Sequence, residues 1–183
     1  MSILKNWQTQ LRAHFLQKMM LQLDRRRHPV PFNSAQSVGV LFDATEQVQR
    51  DQVMPFIESI KKQVKQVTAI GFLQNKQDAS SFSFKGFNLN DIDWLGRPKK
   101  EVLENYAGEA FDFLICIYQK ECLPIEYIAA LSKAQMRVGP YTDNTYCYDL
   151  IIDTTKNDST KHFLKEVEFY LHKINNTHAA NSI

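Results

Sequence analysis

The chain has 183 residues, 44% of them hydrophobic and 23% charged, with 22 basic and 20 acidic side chains and a formal net charge of +2. These values fit one globular domain with a single packed core and fall short of two. The longest apolar runs, around Val38 to Phe42 and Phe113 to Ile117, are strand-sized and far below the roughly 20 residues of a membrane helix.

Residues 1–28 read as a basic amphipathic helix. Leu4, Trp7, Leu11, Phe15 or Leu16, Met19 or Met20, and Leu23 recur at helical spacing, and Pro29 stops the pattern. Six basic residues against Asp24 give this segment +5, which leaves −3 for the rest of the chain. The proline-rich stretch from Pro29 to Asn33 reads as an extended linker, so a boundary falls there, with one domain over 29–175 and a flexible polar tail over 176–183.

Beyond the linker, strand and helix patterns alternate. Val38 to Phe42 has the continuous apolarity of a strand buried on both faces. Val53, Phe56, Ile57, Ile60 and Val64 form one helical stripe, in which Pro55 is expected within the first turn. Val67 to Leu73 is a second strand, and the alternation from Ser81 to Phe87 suggests an edge strand. Turn formers fill Asn88 to Pro98, and a short helix is expected from Lys99 to Tyr106. Phe111 to Tyr118 gives the strongest strand. A helix led by Pro124, a strand over Met136 to Gly139, and a strand over Tyr148 to Asp153 follow. A closing helix begins near a Ser159 cap and ends about Asn175.

This order implies an α/β fold: a doubly wound, mainly parallel sheet of five or six strands with helices on both faces, preceded by the basic N-terminal helix. Ligands of such sheets lie beyond the carboxyl ends of the strands, where strand order reverses. With the Val38 and Phe111 strands as central neighbours, the candidate pocket residues are Asp43, Thr45, Tyr118 and Lys120, with Asp143 and Asp153 at further strand or loop ends.

The motifs argue mainly by exclusion. The first strand runs into Asp43-Ala44-Thr45-Glu46, with no glycine and two carboxylates, so neither a Walker loop nor a dinucleotide fingerprint is present. Asp43 and Asp153 serve either as strand-end site residues or as caps of the turns that follow, and aspartate caps are common. Cys122 lacks a histidine at any strand end to activate it, because His14, His28, His162, His172 and His178 fall in or beside terminal segments. Cys116 reads as core. No metal site and no cofactor are expected. Three cysteines, too sparse for a disulfide framework or zinc cage, point to a reducing cytoplasm. The N-terminus lacks the apolar core of a signal peptide, so export is not expected.

The candidate partner contact is the N-terminal helix, through Trp7, Arg25, Arg26 and Arg27. A protein partner or a homodimer is the first expectation there. Peripheral membrane contact ranks below it, and nucleic acid is disfavoured because the body of the chain is acidic. The same helix packed on its own domain would have an identical sequence.

The runs Val38 to Asp43, Asn90 to Pro98, Phe111 to Ile115 and Arg137 to Gly139 resemble a family of small bacterial proteins of unknown function, over most of residues 33–155. That resemblance implies no activity. Phe111 to Tyr118, Ala130 to Ala134 and Met136 to Gly139 are more weakly similar to the N-terminal half-domain of heptosyltransferase-type glycosyltransferases. Those enzymes carry a glycine-aspartate loop, whereas here Arg50 precedes Asp51, and they need a second half-domain for the donor. The first functional expectation is a non-catalytic binding or interaction module. The alternative is a small enzyme or ligand-binding domain for a phosphorylated or sugar-like compound, with Asp43 as acid or base and Lys120 as the anion-binding group. No particular reaction follows from the sequence.

Overall fold

The computed structural model describes residues 16, 27, 28, 30–142 and 145–180, with 175–180 as backbone only. The N-terminal helix reading, including Trp7, Arg25 and Arg26, otherwise lies outside the described residues, as does Asp143.

Six strands, β1 (Ser37–Asp43), β2 (Gln66–Leu73), β3 (Lys85–Asn88), β4 (Phe113–Ile117), β5 (Met136–Pro140) and β6 (Leu150–Ile152), form one sheet in the order β3-β2-β1-β4-β5-β6. Every pair is parallel. Among the described residues, the helices that can be given a range are α1 (Gln47–Lys61), α2 (Lys100–Tyr106), α3 (Leu123–Leu131) and α4 (Thr160–Ala180). The fold is therefore doubly wound α/β, and β1 and β4 are central neighbours, paired from Val38 with Phe113 to Phe42 with Ile117.

The period-two alternation of side chains builds two cores. Val38, Val40 and Phe42 of β1, with Phe113, Ile115 and Ile117 of β4, bury one face against Val53, Ile57 and Ile60 of α1 and Phe163, Leu164 and Val167 of α4. Leu41, Ile70, Leu114 and Cys116 bury the other face against Ile125, Ile128 and Ala129 of α3. Leu16 belongs to this second core and is 3% exposed.

Besides a shorter β4, which starts at Phe113 rather than Phe111, four boundaries differ from the sequence reading. α1 starts at Gln47, so Pro55 lies inside the helix rather than in its first turn. The residue is exposed, so water can satisfy the carbonyl that the missing N–H leaves unpaired. β3 begins at Lys85, not Ser81, because a 3-10 turn occupies Ala79–Ser81 and Phe84 turns inward against Phe42, with ring centroids 5.1 Å apart. β6 is only three residues long, after a 3-10 turn over Thr145–Cys147. α4 continues past Asn175 to Ala180, since no proline or glycine in that stretch stops it. At its other end the Ser159 hydroxyl accepts the His162 amide at 3.2 Å, the expected cap. No helix among the described residues is long and apolar enough to cross a membrane.

Candidate functional site

Strand order reverses between β1 and β4, and a cleft of about 620 Å³ opens over their carboxyl ends. Its floor is Asp43, Thr45 and Gln74. The first turns of α1 supply Glu46, Val48, Gln49 and Gln52, the β4–α3 connection supplies Gln119, Lys120 and Glu121, and α4 contributes Thr160.

The floor is rigid because β1 and β2 are laced together where they leave the sheet. Asp43 Oδ1 accepts the Thr45 amide at 3.0 Å and the Thr45 hydroxyl at 2.6 Å, while Oδ2 accepts the Gln74 side-chain amide at 2.7 Å. Thr45 Oγ1 in turn accepts the Gln74 backbone amide at 2.8 Å. Asp43 is thus both a turn cap and a cleft residue. With both oxygens already accepting, the carboxylate is held as a fixed acceptor.

Gln49 stands differently. Its side-chain oxygen accepts the Thr160 hydroxyl at 2.7 Å, but its amide nitrogen is buried with no hydrogen-bond partner. Exchanging the two amide atoms would orphan the oxygen instead, so one polar atom is unsatisfied in either orientation. Leaving such a group unpaired costs about 1–3 kcal/mol, and a native structure needs a reason for it.

The electrostatics disfavour an anion. Among the described residues that line the cleft, Asp43, Glu46 and Glu121 stand against one cation, Lys120. Among the described residues no three His, Cys, Asp or Glu side chains converge in a way that could hold a metal ion.

Of the residues expected at the strand ends, the fold brings together Asp43, Thr45 and Lys120 and leaves out Tyr118 and Asp153. Tyr118 follows Ile117, which faces the first core, so alternation sends it to the opposite side of the sheet. There it is 4% exposed, donates to Glu126 Oε1 at 3.0 Å and lies 2.7 Å from the Tyr148 hydroxyl. Burial, reinforced by the Glu126 charge, raises its phenol far above the usual range. Asp153 follows β6, which β4 and β5 separate from β1, and is a turn cap accepting the Thr155 amide at 2.9 Å.

The three cysteines are free and buried, and burial raises each thiol; Cys147 is pushed up to about 12. At Cys122, beside the cleft, the Asp43 charge adds to that rise and further disfavours the thiolate.

Arg27, the one described member of the basic cluster, is engaged at the opposite edge of the sheet. It donates to Asp149 Oδ2 at 3.1 Å and to the Ala134 and Ser132 carbonyls at 2.8 and 3.1 Å. Arg137 clamps the same carboxylate through Nε at 2.9 Å and Nη2 at 2.8 Å.

Gln49, Gln74 and the fully buried Glu126 were missed by the sequence reading. The glutamines lie in polar stretches with no distinguishing pattern. Glu126 had a signal: it is the lone charge within Leu123–Leu131, where Pro124 through Leu131 are all buried.

Fold and cleft together define a doubly wound α/β protein with a polar crevice at its topological switch point. A protein-family model described as a family of unknown function (DUF6913) matches residues 8–174, and the chain belongs to that family. A search of curated proteins finds none that matches. The family carries no assigned activity, and the glycosyltransferase likeness gains no support from these comparisons.

Proposed function

We propose that the protein is a non-catalytic binding module whose strand-end cleft takes a small, neutral, hydroxyl-rich compound, of which a saccharide or polyol is the type. The observation that carries this reading is the unsatisfied polar atom of the Gln49 side-chain amide, a residue that lines a roomy polar cleft. Around it, Gln52, Gln74, Gln119, Thr45 and Thr160 add the amides and hydroxyls that pair with vicinal hydroxyl groups. At about 620 Å³ the cleft lies within the roughly 300–1,000 Å³ of small-molecule sites.

Three carboxylates against one lysine argue for a neutral compound over a phosphorylated one. Binding is favoured over catalysis because Asp43 already accepts three hydrogen bonds and burial disfavours the Cys122 thiolate. The N-terminal segment as a partner surface draws less support, since Leu16 and Arg27 both face their own domain. Buried free cysteines suit a reducing cytoplasm.

Calorimetric titration with monosaccharides, polyols and the corresponding sugar phosphates tests the reading. Neutral compounds should bind, and Gln49→Leu should weaken them about tenfold. Binding of the phosphates alone, or an affinity indifferent to Gln49→Leu, would overturn it.

A further inference from the structure

A second recess of about 240 Å³ lies on the α3 side of the sheet's carboxyl edge and shares two residues, Gln74 and Glu121, with the polar cleft. Its remaining walls are mainly apolar: Phe72 at the end of β2, Leu89 and Ile92 from the β3–α2 connection, and Leu123 and Pro124 opening α3. The two recesses are therefore neighbours across a two-residue partition, one lined with amides and carboxylates, the other with hydrocarbon.

The connection that walls this recess is held in one shape while exposing apolar side chains. Asp93 Oδ1 accepts the Leu95 and Arg97 amides at 2.9 and 3.0 Å, and its Oδ2 accepts Arg97 Nε at 2.7 Å. Ile92 and Pro98 form an antiparallel bridge, and Gly96 supplies the positive φ of 77° that closes the turn. Leu95 is the residue that anchors the loop, at 2% exposed, while Trp94 beside it is 73% exposed and Leu89 39%. The bonds around Asp93 hold the turn that follows Ile92, and of the two exposed side chains Leu89 is the one that lines the recess.

We infer that the ligand has two parts, a hydroxyl-rich head in the polar cleft and an apolar substituent, a phenyl ring or short alkyl chain, in the recess of Phe72, Leu89, Ile92, Leu123 and Pro124. The inference rests on the reading of the cleft given above. The shared partition selects this occupant: anything filling the recess touches Gln74 and Glu121, which a bound head group also touches, so one molecule spans both more readily than two.

Matched methyl and phenyl β-glycosides of glucose, galactose and mannose, titrated into the full chain, separate the two claims. The phenyl member of a binding pair should be about tenfold tighter, the worth of burying part of a ring. Leu89→Asp should erase that gain and leave the methyl glycoside unchanged, and Leu89→Ser, a milder change at the same exposed position, should show the same selective loss. Equal affinities for methyl and phenyl members, or a phenyl gain that survives both variants, would overturn the two-part ligand while leaving the head-group reading intact. Failure of every glycoside to bind would overturn both.

Discussion

Gly139 in β5 leaves room that the buried Tyr148 ring fills. A Cβ built there would fall 2.4 Å from two of the ring's carbons, far inside any real contact. Tyr148 cannot retreat cheaply, because its hydroxyl pairs with that of Tyr118 at 2.7 Å and Tyr118 donates to the fully buried Glu126. Gly139→Ala is therefore expected to lower stability by about 1–3 kcal/mol, read from urea unfolding at neutral pH, while ligand affinity at the strand-end cleft stays unchanged. At this scale the sequence was partly legible. Asp43 and Lys120 could be placed at the strand ends, where both line the cleft, because the position of a switch point follows from topology. Tyr118 was misplaced because it was treated as a rim residue, although the alternation of β4 already assigned it to the α3 side. Gln49 was illegible, since its orphaned amide results from packing between α1 and α4, segments 111 residues apart.

Among elements, the β3–α2 connection shows how polar side chains replace a ladder. Burial pulls the Asp93 carboxyl upward, but bonds from Arg97 and Leu95 and the Arg97 charge outweigh it and hold it below the usual value. Asp93→Ala removes three acceptor contacts at once. Faster amide exchange at Leu95 and Arg97 is expected, with a loss of about 1 kcal/mol and the six-stranded sheet otherwise intact. Exchange rates unchanged from the parent would mean that the Ile92–Pro98 bridge fixes the loop alone. The central elements were readable because β1 and β4 are buried on both faces, leaving near-continuous apolar runs, and β2 is buried over its second half. The edges were not. The aromatic alternation from Ser81 resembles a strand, but Phe82 and Phe84 stack on one another and on the first core, so pairing with β2 waits until Lys85.

The whole molecule has two polar ends, the cleft at the carboxyl edge of the sheet and the node of Arg27, Arg137 and Asp149 at the amino edge. Only the second joins distant segments through charge, and it couples fold stability to acid. Burial raises Asp149, but the hydrogen bonds and charge of Arg137, with Arg27 behind them, prevail and hold its carboxyl below the usual carboxylate range. A depressed carboxylate stabilises the fold fully above its unfolded pKa of about 3.9, and that contribution fades as pH falls through the folded value. Asp78, Asp93 and Asp153 are also held low, but their hydrogen bonds are local, so they tie no distant segments together. Asp149→Asn should therefore cost stability at pH 7 and progressively less below about pH 4, where the parent loses the same interaction. Urea unfolding of both proteins at pH 7, 5, 4 and 3 checks the convergence. Amide exchange at His28, whose backbone N–H donates to Gln135 at 2.7 Å, should rise in the variant at neutral pH and in the parent only in acid. A stability gap that stays constant across that range would show that Asp149 acts through packing and not through its charge.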